Sequence, residues 1–348
     1  LSHPRLEFVC TVCEEVGMEG ATGIDVSMLK GKKLLNMDSE EEGVMLASCA
    51  GGCRADVKLP VERETVSGTK LTVSLSGLTG GHSGSEIDKG RGNANTLMSR
   101  LLRDASAPVA IASIDGGRKD NAIPRECTAQ IIVAPDKAAA VKASIEQAAA
   151  EIAEEFKASD PDIKLAVSEE TDCSESAISA KDSARVIALI EALPNGIIRM
   201  SREIDKLVET SLNLGVLKSD DAAVTLRYAV RSSVGVAKKS LKNQLVCIAG
   251  AFAAEVTFEG DYPAWEYKKD SKLREDMVRI FEEMYGKKPT VEAIHAGVEC
   301  GLLSGKIEGL DCISMGPDMY DIHTTEERLS ISSAKRSYEY ILRVIACK

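Results

Sequence analysis

The sequence predicts an α/β chain interrupted by an inserted α+β domain of two similar halves. Three observations predict this. Short apolar runs of strand length crowd the first fifty residues. From Thr69 the pattern changes to alternation, and beyond Tyr262-Pro263 the buried style returns. Length agrees, since 348 residues suggest about two domains.

The elements follow in order. Residues 6–13 read as a buried strand ending in Glu14-Glu15, residues 33–37 as a second ending in Asp38, and residues 44–49 as a third running into Gly51-Gly52. Leu71, Val73 and Leu75 alternate with polar residues, as in a half-buried strand. The glycine-rich stretch 77–84 follows, then a helix over 93–102 and strands over 109–114 and 128–133 around Gly116-Gly117. An Ala-rich amphipathic helix spans 136–156 and a strand spans 163–167, while the polar residues 171–176 read as a loop. A second set comprises a helix at 183–193, strands near 197–200, 207–217 and 223–230, a helix at 236–253 and a strand at 254–258. A helix at 272–285, a strand at 310–315 and a helix at 332–346 with a serine start close the chain. The expected domains are therefore 1–65 with 255–348, and the insertion 66–254; such insertions are tolerated where the ends lie close together.

Composition excludes several classes. With 44% hydrophobic and 28% charged residues the chain is of the globular kind. A net charge of −11 argues against a nucleic-acid surface. No stretch approaches the ~18 apolar residues of a membrane span. The ten cysteines are scattered and lie mostly in apolar runs, as buried thiols do in a reducing compartment, so a cytoplasmic location is expected. Cys49 and Cys53 have no second pair to complete a zinc cage. There are only four histidines, His3, His82, His295 and His323, so the candidates for histidine chemistry are few.

Carboxylates gathered where buried strands end are what an α/β sheet offers a ligand, although solvated turns would have the same composition. Glu14-Glu15, Asp38 and the late His323 together supply oxygen and nitrogen donors that suit zinc or manganese. Adjacent glutamates point in different directions, so one can bind metal while the other serves as a general base. His82-Ser83 lacks the Gly-x-Ser-x-Gly elbow of a serine hydrolase. Residues 77–92 lack the Gly-Lys-Ser/Thr ending of a phosphate loop.

The strings Cys-Glu-Glu-Val-Gly-Met-Glu-Gly-Ala, Asn-Met-Asp-Ser-Glu-Glu-Glu-Gly and Ser-Cys-Ala-Gly-Gly resemble the cytosolic aminoacyl-histidine dipeptidases. These are dinuclear-zinc exopeptidases related to carnosinase and aminoacylase. The resemblance continues through Gly-Gly-His-Ser-Gly-Ser-Glu-Ile-Asp-Lys-Gly-Arg-Gly-Asn-Ala-Asn, Arg-Lys-Asp-Asn-Ala-Ile-Pro-Arg, Ser-Leu-Asn-Leu-Gly-Val, His-Ala-Gly-Val-Glu-Cys-Gly-Leu and Asp-Ile-His, in the family's order. It implies a zinc-exopeptidase-like catalytic domain with an inserted lid, and metal-dependent hydrolysis of Xaa-His and other dipeptides. Glu14 matches the general base, Glu15 and His323 ligands of one metal, and Asp38 a ligand of the other. His82 matches the lid histidine that stabilises the oxyanion, and Arg231 the lid arginine that grips the substrate's carboxylate. Asn213 and His295 match substrate contacts. Two divalent metals are implied, zinc first, with manganese or cobalt as alternatives. The doubled lid implies that His82 serves its own subunit, and a homodimer stays open.

One departure stands out. The family's site also takes an earlier His-x-Asp and a bridging Asp in a Gly-Ala-Asp-Asn-Gly-type string, and neither occurs in this sequence. The expectation is a catalytic domain incomplete at its amino end, in a chain belonging to a longer enzyme. The alternatives are an inactive remnant or binding protein, and a related amidohydrolase acting on N-acyl amino acids.

Overall fold

The computed structural model describes residues 2–15, 17–322 and 324–347. Its smaller part is a four-stranded sheet in the order Lys33–Asn36, Asp311–Ser314, Val44–Cys49 and Thr290–Ile294. The first two of these strands pair parallel, as do the last two. Helices Lys272–Tyr285 and Ile331–Ala346 cover the sheet, burying Met277, Phe281 and Tyr340 against Met45 and Ile313. The rings of Phe281 and Tyr340 meet edge-on, with centroids 5.4 Å apart. Serines start both helices: Ser271 accepts from the Arg274 amide and Ser330 from the Ser333 amide. The serine start thus falls two residues earlier than Ser332.

The larger part is a nine-stranded sheet in which all pairings are antiparallel. It consists of two halves. One holds strands Arg63–Ser76, Ala110–Gly116, Cys127–Val133 and Lys164–Ile178 with helices Ala94–Arg103 and Ala138–Phe156. The other holds strands Gly51–Pro60, Val208–Ser219, Ala223–Ser232 and Glu255–Tyr262 with helices Ala180–Ala192 and Gly235–Ala251, plus the short strand Gly196–Met200. The halves join where Leu217 and Lys218 pair with Gly116 and Asp115. Alternation explains the layering: Cys53, Ala55, Val57 and Leu59, like Leu71, Val73 and Leu75, all enter one core shared with the four helices.

Three features differ from the sequence expectations. Residues 6–13 form no strand; they find no ladder partner among the described residues, and Phe8 is 89% exposed. The strand expected at 163–167 runs from Lys164 to Ile178, straight through the polar stretch read as a loop. It pairs along its length with Arg63–Ser76, and as an edge strand it needs no apolar outer side. The large sheet also takes in Gly51–Pro60 and Glu255–Tyr262, which flank the 66–254 insertion.

Those two strands carry the chain between the sheets. Cys49 and Trp265 exchange both backbone hydrogen bonds at this crossing, at 3.0 and 3.1 Å. A Cβ at Gly51 would lie 2.4 Å from the Ala264 nitrogen, so only glycine permits the approach.

Candidate active site

His82 sits in a two-residue strand, Gly81–His82, paired with Ala122–Ile123. Gly80 and Gly81 both adopt positive φ, which turns the chain into this strand at little steric cost. The Ser83 amide donates to the Asn121 carbonyl (2.8 Å), and the His82 amide to Glu86 Oε2 (2.8 Å). The imidazole is held through one nitrogen. Nδ1 faces the amides of Ser85 (3.1 Å) and Gly84 (3.3 Å) and the Ser85 hydroxyl (3.2 Å). Amides only donate, so Nδ1 is the acceptor and the proton resides on Nε2. Burial and then the charge of Arg231 push the His82 pKa below its usual value, against an opposing pull from Glu86. At neutral pH His82 is thus a neutral ring that offers Nε2–H.

Arg231 is 9% exposed, in strand Ala223–Ser232 between Gly52 and Ser211. Its Nε has no hydrogen-bond partner among the described residues. The Tyr262 ring lies beside it: burial raises the Tyr262 pKa, and the Arg231 charge and its hydrogen bond counter this. Gly52 makes room, since a Cβ there would sit 2.6 Å from the Tyr262 hydroxyl. Tyr262 also packs on Met18, Ala21 and Leu302, which connects Arg231 to the segment following Glu14-Glu15.

His295 follows strand Thr290–Ile294 of the small sheet and is 5% exposed. Its Nε2 lies 2.7 Å from the Ser211 hydroxyl of the large sheet. Burial, then the Arg231 charge, and more weakly His82, lower its pKa to about 3. Its carbonyl oxygen would be 2.6 Å from a Cβ at Gly84, so the His82 turn rests directly on His295. His82, Arg231 and His295 therefore share one electrostatic neighbourhood between the two sheets.

The other expected residues are placed less closely. Asn213 is 1% exposed, and its amide donates to the carbonyls of Asp120 (3.1 Å) and Ala122 (2.9 Å). Glu14 is half-buried in a turn whose carbonyl accepts from the amides of Gly17 and Met18, and Glu15 is exposed beside it. Asp38 is exposed just past strand Lys33–Asn36, next to the buried Ser39, which hydrogen-bonds Ser314 (2.8 Å). His323 lies outside the described residues. Carboxylates such as Glu15 and Asp38 are suitable donors for divalent cations. Among the described residues, however, no three His, Cys, Asp or Glu side chains converge on a point that could hold a metal ion. The described residues do not assemble a metal centre by themselves. Sequence reasoning missed Tyr262 and Ser211; the alternation of Ser211 with Asn213 was the one available signal.

The chain resembles known proteins in sequence and fold. The chain is 35% identical over 335 residues to the cytosol non-specific dipeptidase of Escherichia coli (strain K12), covering 95% of this chain and 69% of that protein. It belongs to the aminoacyl-histidine dipeptidase family. A crystal structure of an aminoacylhistidine dipeptidase from Vibrio alginolyticus superposes with a TM-score of 0.89 at 33% identity, covering 96% of this chain and 69% of that one. Residues 73–160 match the peptidase dimerisation domain, in the half of the large sheet that carries His82.

Proposed function

We propose that this chain hydrolyses dipeptides, Xaa-His among them, in a metal-dependent reaction in the cytoplasm. The carrying observation is the convergence of His82, Arg231 and His295 in a chain 35% identical to a cytosolic dipeptidase. Zinc is the first choice of metal, with Glu15, Asp38 and His323 as this chain's ligands.

Each described side chain takes a role that its chemistry suits. Glu14 acts as general base and later passes its proton to the leaving amine. His82 supplies the Nε2–H that an oxyanion needs, fixed beforehand by the two amides on Nδ1. Arg231 grips the substrate's terminal carboxylate; a guanidinium suits a planar anion, and its Nε is unspent among the described residues. His295, neutral and buried, stands beside Arg231 as a further substrate contact. A homodimer formed through the large sheet is the assembly this reading favours, given the dimerisation-domain match.

The test is an assay of Xaa-His dipeptides, their carboxy-terminal amides and N-acetyl amino acids, with and without chelator. Chelator-sensitive cleavage of the free dipeptides, with the amides poor substrates, is expected. Cleavage of N-acetyl amino acids in preference to dipeptides would overturn the proposal.

A further inference from the structure

We infer that Asn213 is a positioning residue that fixes the orientation and tautomer of His82 by gripping the backbone of residues 120–122. The inference rests on the role proposed for His82 and names what holds it. Asn213 lies on strand Val208–Ser219, and both amide donations go to main-chain carbonyls two residues apart, those of Asp120 and Ala122. Between them, the Asn121 carbonyl faces the other way and accepts from the Ser83 amide. Ala122 and Ile123 pair with His82 and Gly81. The segment is thus clamped on one side by Asn213 and carries the His82 turn on the other.

The clamp is itself braced. Asn213 Oδ1 accepts from Asn93 Nδ2 at 3.1 Å, and Asn93 also donates to the Leu214 carbonyl. Asn95, fully buried, donates to the same carbonyl. This bonding fixes which end of the Asn213 amide donates. Gly215, two residues on and on the same side, brings the strand closer: a Cβ there would lie 2.4 Å from the Asp120 oxygen. Arg54 holds the Asp120 carboxylate at 2.7 Å. A buried network of this kind, in which every polar atom named is bonded except Asn95 Oδ1, which finds no partner among the described residues, specifies one backbone position. Slack in residues 120–122 would pass to the amides of Gly84 and Ser85 that hold Nδ1, and the ring would no longer be confined to one tautomer.

Two variants separate donors from bulk. Asn213→Asp keeps the shape but replaces both donors with oxygen. Asn93→Asp keeps the oxygen that caps helix Ala94–Arg103 and removes the brace on Asn213. With only four histidines, the ring nitrogens of His82 can be assigned by comparison with His82→Ala in 15N-labelled full chain. Wild type should show a single Nε2–H tautomer. The variants, folded by circular dichroism and thermal unfolding, should show averaged tautomers and a His82 pKa moved up towards the ordinary value. In dipeptide hydrolysis, N213D should lose about a hundredfold in kcat with little change in KM. In a His82→Ala background the same substitution should cost nothing further. Unchanged His82 signals in a folded N213D, or losses that multiply in the double variant, would overturn the inference. Released tautomers in N213D together with full hydrolysis by His82→Ala would support the clamp and refute the function proposed for His82.

Discussion

Acidification should cost this fold about 2 kcal/mol between pH 7 and pH 5 through His295 alone. The ring is 5% exposed, and the charges facing it, Arg231 and any proton on His82, both oppose a second positive charge. Its folded pKa is about 3, whereas the unfolded chain has the ordinary value of about 6.5. Below about 6.5 the unfolded chain therefore takes up a proton that the folded one refuses. Stability is complete above that value, falls by about 1.4 kcal/mol per pH unit beneath it, and stops falling only near the folded pKa. His82, also depressed, contributes with the same sign. Glu86, whose pKa is lowered, titrates in the acid range below this window. Urea unfolding at pH 7, 6 and 5 measures the slope. His295→Gln cannot titrate, so its stability should decline less than that of wild type by about 2 kcal/mol at pH 5. Parallel declines would show that His295 protonates freely in the folded chain, and the tight packing argued for it would be refuted.

Further outcomes follow from the same geometry. Arg231→Gln removes the second-largest cause of the His82 depression, so the His82 pKa should rise in an NMR titration; in the dipeptide assay KM should increase about tenfold or more, as expected for a lost charged hydrogen bond. Gly84→Ala places a Cβ 2.6 Å from the His295 carbonyl oxygen, where backbone has to give way, and calorimetry should record a loss of about 1–3 kcal/mol. Tyr228 is fully buried and its hydroxyl has no hydrogen-bond partner among the described residues. Tyr228→Phe should leave the urea midpoint unchanged or raise it, because a buried unsatisfied group costs about 1–3 kcal/mol; a clear fall would reveal a partner.

Much of this fold was legible because alternation and helical spacing follow directly from burial. Leu71, Val73 and Leu75 announced their strand, and the two halves of the large sheet could be read from the order of elements. Residues 171–176 could not be read, since a strand paired along its length with residues 63–76 is stabilised by backbone bonds and leaves its side chains polar. Residues 6–13 failed in the opposite way: apolar content marks what could be buried, and a strand also requires a partner. Within the site, His82 and Arg231 were identifiable from their strings. Tyr262 was not, because its role depends on absent side chains at Gly52 and Gly297, both within 3 Å of its ring or hydroxyl if given a Cβ.

The string Ser-Leu-Asn-Leu-Gly shows how little sequence is needed to couple the two sheets. In a strand, residues two apart share a face. Ser211, Asn213 and Gly215 therefore look the same way, while Leu212 and Leu214 between them enter the core. Each of the three meets a different part of the site: Ser211 bonds His295, Asn213 holds the backbone that carries His82, and Gly215 admits Asp120. A shift of one residue in the register of this strand would turn Ser211 and Asn213 into the apolar core and both leucines towards the site at once. The core thus enforces the alignment of the site: the hydrophobic energy that seats Leu212 and Leu214 also sets where the two histidines stand. Arg231, paired with Ser211 on the neighbouring strand, is fixed by the same register. Three polar groups from two sheets are held together because one strand can lie in only one way.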